Sequence, residues 1–109
     1  AQFHNPYGLA LSADGLALFV AEFTNHLIRQ VVISTGVVTT LAGSAGESGS
    51  TDDIGGAARF NGPVGLALSA DGLALFVAEF TNHLIRQVVI STGVVTTLAG
   101  SAGESGSTD

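Results

Sequence analysis

The residues best suited to chemistry in this chain form one short polar stretch that occurs twice. The stretch Glu-Phe-Thr-Asn-His occupies residues 22–26 and again residues 79–83. Its carboxylate, amide and imidazole groups could hold a ligand, and imidazole is a common metal ligand. The sequence therefore predicts two equivalent candidate binding clusters, made of Glu22, Phe23, Asn25 and His26 and of Glu79, Phe80, Asn82 and His83.

A structural role competes with ligand binding at both histidines. A histidine repeated at a turn more often bonds backbone than metal. We expect His26 and His83 to bond backbone, and Asn25 to tolerate a left-handed turn conformation. We predict no metal and no cofactor.

Two arginines, Arg29 and Arg86, stand in the middle of apolar runs. A buried arginine needs a carboxylate or backbone partner, because an unpaired buried charge is costly. Glu22 and Glu79 are the predicted partners, which favours structural ion pairs over a substrate clamp.

The Gly/Ser-rich stretch GSAGESGSTDD at residues 43–53 invites two ligand hypotheses, phosphate held by the glycines and calcium held by the carboxylates. A phosphate cradle fails, because no lysine follows the glycines and carboxylates repel phosphate. Calcium could use Glu47, Asp52 and Asp53, but their spacing is not that of an EF-hand. We therefore expect a solvated acidic loop.

Charge restricts the partners. Nine carboxylates against three arginines give a net charge of −6, which disfavours nucleic acid and anionic membranes. The chain has no cysteine and no apolar run long enough for a membrane helix, and no signal peptide is visible. Charged residues make up only 11%, which suggests that much of the surface is buried against other chains.

An internal repeat organises the chain. Residues 8–52 and 65–109 are identical throughout, and only residues 53–57 have no counterpart. We predict one unit at 1–57, which includes an inter-unit loop at about 43–57, and a second unit at 58–109 with a truncated loop. Because natural copies drift soonest in exposed loops, this identity indicates a designed or engineered duplication, with a very recent natural duplication as the alternative.

Each unit reads as four short strands rich in β-branched and aromatic residues, joined by tight turns. In the strand at 16–21, alternate residues are apolar on both sides, as in a sheet covered on both faces. Sheets stacked in a ring satisfy this requirement, which predicts an all-β fold of propeller blades, each a four-stranded antiparallel meander. Since the two units have no polar caps, identical chains are expected to close the ring.

Several spaced motifs resemble NHL-repeat β-propellers. TNHLIRQV contains the Asn-His-Leu signature (Asn25, His26, Leu27), RFNGPVGLALSADG is similar to the start of such a blade, and GVVTTLAG is similar to its last strand. The resemblance implies six blades most often, and hence a homotrimer of two-blade chains. Eight blades in a tetramer are the alternative.

The function expected from these features is a non-enzymatic, self-assembling symmetric scaffold whose partner is the chain itself. A ligand- or protein-binding propeller module that uses the acidic loop face is the alternative. A metal-dependent lyase of the NHL type is less favoured, because a ring of identical blades repeats one group where most enzymes bring different groups together.

Overall fold

The computed structural model describes Phe3 and residues 5–100. His4 and the loop predicted at 101–109, with Glu104 and Asp109, lie outside the described residues. Within the described part, no helix is long and apolar enough to span a membrane.

The described chain forms two four-stranded antiparallel sheets, each a meander in chain order. Blade 1 consists of β1 Pro6–Leu11, β2 Ala17–Glu22, β3 Leu27–Val32 and β4 Val37–Gly43. Blade 2 consists of β5 Pro63–Leu68, β6 Ala74–Glu79, β7 Leu84–Val89 and β8 Val95–Gly100. A short 3-10 turn at Gly55–Ala57 interrupts the connection between the blades. The predicted all-β blades are confirmed.

The first turn of each blade is a tight turn that ends at a glycine. Gly15 and Gly72 have φ of 75° and 76°, a left-handed region that glycine adopts without a Cβ clash. In blade 1, Ser12 Oγ and Leu16 N donate hydrogen bonds to Asp14 Oδ1 at 2.6 and 2.9 Å. These two bonds lower the pKa of Asp14, so its carboxylate stays ionised and holds the turn.

The second turn differs from the prediction. The left-handed residue is the histidine, with φ of 59° at His26 and 56° at His83, and not Asn25. The Asn25 side chain instead donates from Nδ2 to Glu22 Oε1 at 3.3 Å. The asparagine thus braces the start of the turn, while the histidine reverses the chain.

Each blade has two apolar faces because side chains alternate along a strand. We call the first the Phe face, made of Phe19, Ala21, Ile28 and Ala42 in blade 1 and of Phe76, Ala78, Ile85 and Ala99 in blade 2. We call the second the Leu face, made of Leu18, Val20, Val31 and Val38 in blade 1 and of Leu75, Val77, Val88 and Val95 in blade 2.

The core lies between the Phe face of blade 1 and the Leu face of blade 2. It contains Phe19 and Ile28 from the first and Leu75 and Val88 from the second, with Phe60 of the connecting segment. Among the described residues, nothing covers the two opposite faces in this way. Ile28 is fully buried, whereas its copy Ile85 is 37% exposed, so identical residues occupy two different environments.

The turn glycines provide a matched pair of substitutions. A Cβ at Gly72 would lie 2.6 Å from the Ala13 Cβ, whereas a Cβ at Gly15 would meet nothing within 4 Å. We expect Gly15→Ala to cost about 1 kcal/mol through its positive φ, and Gly72→Ala to cost more through the added clash. Urea denaturation of the dilute chain measures both, and equal losses would contradict this prediction.

Candidate functional site

The candidate clusters lie on the edge of the blades that also carries the inter-blade loop. Gly46 N donates to Asn25 O at 3.1 Å, and Asn82 Nδ2 donates to Gly49 O at 3.1 Å. The loop therefore passes over both clusters and is fixed to each of them by a hydrogen bond.

His26 bonds backbone across the blades. Its Nδ1 accepts a hydrogen bond from Gly62 N at 3.1 Å, where the chain enters blade 2. That nitrogen is occupied by a backbone contact and is unavailable to a metal in this arrangement. His83, the copy in blade 2, is exposed.

The two aromatic members of the clusters also differ. Phe23 is half-buried and packs on Tyr7 with ring centroids 5.2 Å apart. A Cβ at Gly62 would lie 2.9 Å from Phe23 Cε1, so the entering chain covers this ring. Phe80 is 66% exposed. Phe23 thus serves blade packing, whereas its copy Phe80 has no such packing among the described residues.

The prominent grooves lie away from both aromatic residues. One groove of about 310 Å³ lies on the Phe face of blade 2, between Gly65, Phe76 and Ile85. Another of about 310 Å³ lies between the first turns of the two blades and includes Asp14 and Asp71. Neither groove is lined by Phe23 or Phe80, so neither is a ligand pocket formed by the candidate clusters.

A buried ion pair forms the centre of the blade 2 cluster. Arg86 Nη1 donates to Glu79 Oε2 at 2.6 Å, and both side chains are fully buried. Asn61 N and Asn82 Nδ2 donate to Glu79 Oε1 at 2.7 and 3.3 Å. The predicted pairing of Arg86 with Glu79 is confirmed, and its role is structural.

The inter-blade loop contributes a second carboxylate to Arg86. Arg86 Nη2 donates to Asp52 Oδ1 at 2.7 Å and to Thr51 O at 2.9 Å, while Nη1 reaches Arg59 O at 2.9 Å. The Phe60 ring centroid lies 5.2 Å from the guanidinium carbon, a cation–π distance. We call Thr51, Asp52 and their contacts with Arg86 the loop clamp.

The loop clamp corrects the expectation that the acidic loop is merely solvated. Asp52 also accepts hydrogen bonds from Thr97 N at 3.0 Å and Thr97 Oγ1 at 2.9 Å. The sequence held one signal for this contact. Asp52 is the last residue of the repeated stretch, so the aspartate is repeated together with the arginine.

The corresponding site in blade 1 has fewer contacts. Arg29 Nη1 donates to Glu22 Oε2 at 3.0 Å, which confirms the predicted pair, and the Phe3 ring centroid lies 5.8 Å from the guanidinium carbon. Among the described residues, no loop carboxylate or backbone carbonyl reaches Arg29. Its side chain is 18% exposed, whereas that of Arg86 is fully buried.

The loop clamp depends on pH through Asp52. Partial burial alone would raise the pKa of Asp52, but the hydrogen bonds from Thr97 and the charge of Arg86 outweigh it and lower that pKa. A lowered folded-state pKa means that the stabilisation is complete above the ordinary value of 3.8 and is lost as pH falls through the folded-state pKa.

We therefore predict a pH-dependent effect of Asp52→Asn. At neutral pH this change should cost about 1–3 kcal/mol, because it weakens hydrogen bonds to a charged group. Thermal unfolding curves of the two proteins should converge as pH falls through the lowered pKa of Asp52, because the carboxylate then becomes protonated. Asp53→Asn is the control, since among the described residues Asp53 Oδ1 accepts only from Ile54 N. A difference that persists unchanged at low pH would contradict this role.

The described residues contain no group of three histidine, aspartate or glutamate side chains positioned to hold a metal ion. The polar atoms of the blade 2 site are directed at one another across Arg86, Glu79 and Asp52. This arrangement joins β6, β7 and β8 to the inter-blade loop through hydrogen bonds and ion pairs, which holds the loop against blade 2.

Comparison with known proteins identifies the blade type. NHL repeat-containing protein 2 from Homo sapiens is 33% identical over an alignment of 98 positions. The protein of that name from Bos taurus is 34% identical over an alignment of 113 positions. These matches cover 90% and 96% of this chain, but the chain spans only 14% and 16% of those relatives.

A solved structure supports the fold alone. A protein of unknown function from Bacteroides thetaiotaomicron, with 23% sequence identity, has a TM-score of 0.78 over 91% of this chain and 24% of its own. A scan of the sequence against models of protein families finds no match. From its relatives and its two four-stranded meanders, we conclude that the chain consists of β-propeller blades of the NHL-repeat family.

Proposed function

We propose that this chain is a non-enzymatic scaffold whose copies assemble head to tail into a closed, symmetric propeller. One observation carries the proposal. The two uncovered faces of the chain are copies of the two faces that already pack against each other inside it.

The uncovered faces match in composition and position. The Phe face of blade 2 has the same residues as the Phe face of blade 1, which packs on blade 2. Ile85 on the blade 2 face is nevertheless 37% exposed, whereas its copy Ile28 is fully buried. On the Leu face of blade 1, Leu9 and Leu11 are 62% and 52% exposed, whereas their copies Leu66 and Leu68 are partly buried against the core. Exposed contiguous apolar patches on a soluble protein typically mark interaction sites.

Such faces produce a head-to-tail contact. A second copy that places its blade 2 Phe face on the blade 1 Leu face of the first copy repeats the internal interface. Head-to-tail contacts form a ring when the rotation closes and a filament when it does not. Propellers close with about four to eight blades, and we propose six blades in a homotrimer, with eight blades in a tetramer as the alternative.

Two further features support this reading. His26 Nδ1 is occupied by Gly62 N, which favours a structural role over catalysis for the repeated histidines. The identical sequences of residues 44–52 and 101–109 favour a designed, engineered or very recent duplication.

Light scattering of the purified chain tests the proposal. We expect one species with about three times the chain mass of 10.9 kDa, because three two-blade chains cover all apolar faces. A species of four times that mass would favour the tetramer. A stable monomer at high concentration would refute assembly.

A further inference from the structure

We propose that Arg29 is an incomplete socket that binds Asp109 of a second copy of this chain. The inference rests on the proposed assembly and deepens it, because it names the polar residues that one copy supplies to the next. It treats the loop clamp on Arg86 as the template for a contact between chains.

The sequence supplies matching partners for this contact. Residues 101–109 repeat residues 44–52 without a change, so Thr108 and Asp109 correspond to Thr51 and Asp52 of the loop clamp. On the receiving side, Arg29 corresponds to Arg86, and Thr40 corresponds to Thr97. Every side chain of the blade 2 site with a carboxylate, guanidinium or hydroxyl role thus has an identical copy.

The geometry of Arg29 shows what the socket lacks. Both Arg29 and its copy keep the glutamate contact, at 3.0 Å in blade 1 and 2.6 Å in blade 2. Both have an aromatic ring beside the guanidinium, Phe3 in blade 1 and Phe60 in blade 2. Among the described residues, Arg29 has no counterpart of the contacts that Arg86 makes with Thr51 and Asp52 in the loop clamp, or of its bond to Arg59 O.

The position of the socket fits the proposed interface. Val20 pairs with Arg29 in the register of β2 and β3, which places Arg29 on the Leu face of blade 1. In blade 2, the corresponding face is covered by blade 1 and by the loop that leaves blade 1. A second copy that covers the Leu face of blade 1 with its own blade 2 would bring its residues 101–109 to Arg29 in the same way.

Charge also favours this occupant. The Arg29 side chain is mostly buried and lies beside the buried Glu22 carboxylate. A guanidinium has five N–H donors, so Arg29 can also donate to a second carboxylate and to a backbone carbonyl. Asp109 brings that carboxylate in the same sequence context as Asp52, whose lowered pKa keeps it ionised at neutral pH.

A cysteine pair tests the contact directly, since the natural chain has no cysteine. We expect Thr40→Cys with Asp109→Cys to form disulfides between chains on oxidation and to give a covalent trimer on a non-reducing gel. The matched control, Thr97→Cys with Asp52→Cys, joins residues of one chain and should run as a monomer. A Thr40/Asp109 pair that stays reduced while the control oxidises, or that closes within one chain, would overturn the inference.

A second measurement covers the case in which neither pair has suitable disulfide geometry. Asp109→Asn should raise the concentration at which the assembly dissociates by about tenfold or more, as expected when one partner of a buried charge pair is lost. In an Arg29→Lys background, the same change should have a much smaller effect. An unchanged dissociation concentration would refute the Arg29 contact while leaving the assembly intact, whereas absence of any assembly would refute the proposed function itself.

Discussion

Gly65→Ala should abolish assembly and leave the chain folded. In blade 1, a Cβ at the equivalent Gly8 would lie 2.6 Å from Val64 O, because the backbones of the two blades meet there. At Gly65 the nearest atom within the chain is the Ala78 Cβ, at an ordinary contact distance of 3.4 Å. The surface beside Gly65 therefore has room for another blade, as the proposed assembly requires.

The expected magnitude follows from overpacking at this contact. Extra methyl groups in a tight interface typically cost about 1–3 kcal/mol, and about 1.4 kcal/mol is a tenfold change in affinity. Because a closed ring repeats the contact at every interface, we expect the variant to be mainly monomeric where the natural chain assembles. Light scattering measures the mass, and circular dichroism reports whether the blades remain folded.

Gly8→Ala provides the matched control for this prediction. It places the same methyl group at the contact between blades within one chain, so it should lower the melting temperature of the chain itself. A Gly65→Ala protein with unchanged mass and affinity would show that the free Phe face does not receive another blade.

Arg86→Ala should produce the largest loss of stability in the chain. Arg86 is fully buried and donates four hydrogen bonds, to Glu79, Asp52, Thr51 O and Arg59 O. Its removal leaves the buried Glu79 carboxylate without its cation and releases the loop clamp. Breaking a buried pair in this way typically costs about 3–5 kcal/mol, a large part of the usual total of about 5–15 kcal/mol.

Arg29→Ala tests whether the loop clamp accounts for this effect. Both changes are best made in the Gly65→Ala chain, so that no second copy covers Arg29. We expect the Arg29 variant to lose less stability in urea denaturation, because among the described residues Arg29 pairs only with Glu22. Limited proteolysis should cut the 43–60 segment only in the Arg86 variant. Equal losses and equal cleavage would contradict the importance of the loop clamp.

The strands and their order could be predicted from the sequence because local signals agree there. Val, Ile, Leu and Phe alternate in short runs, and glycines mark the tight turns at Gly15 and Gly72. The pairing of both arginines with the glutamates also follows locally, since seven residues separate Glu22 from Arg29 across a single turn between paired strands.

The loop clamp could not be predicted in the same way. Asp52 lies 34 residues before Arg86, and only the stacking of the blades brings the two together. The turn conformation was also ambiguous, because asparagine and histidine both adopt the left-handed backbone conformation more readily than most residues. In the structure the Asn25 side chain bonds to Glu22, and His26 takes the positive φ. The difference between Ile28 and Ile85 has no local cause at all, since their sequence neighbourhoods are identical.

That difference leads to the most direct test of the assembly. In a closed ring each blade lies between two other blades, so repeated residues distant from the non-identical segments 1–7 and 53–64 should share one environment. In an amide ¹H–¹⁵N NMR spectrum of the chain, we expect the signals of Phe19 and Phe76 to nearly coincide, and likewise those of Ile28 and Ile85. Well-separated signals within both pairs would contradict the closed ring.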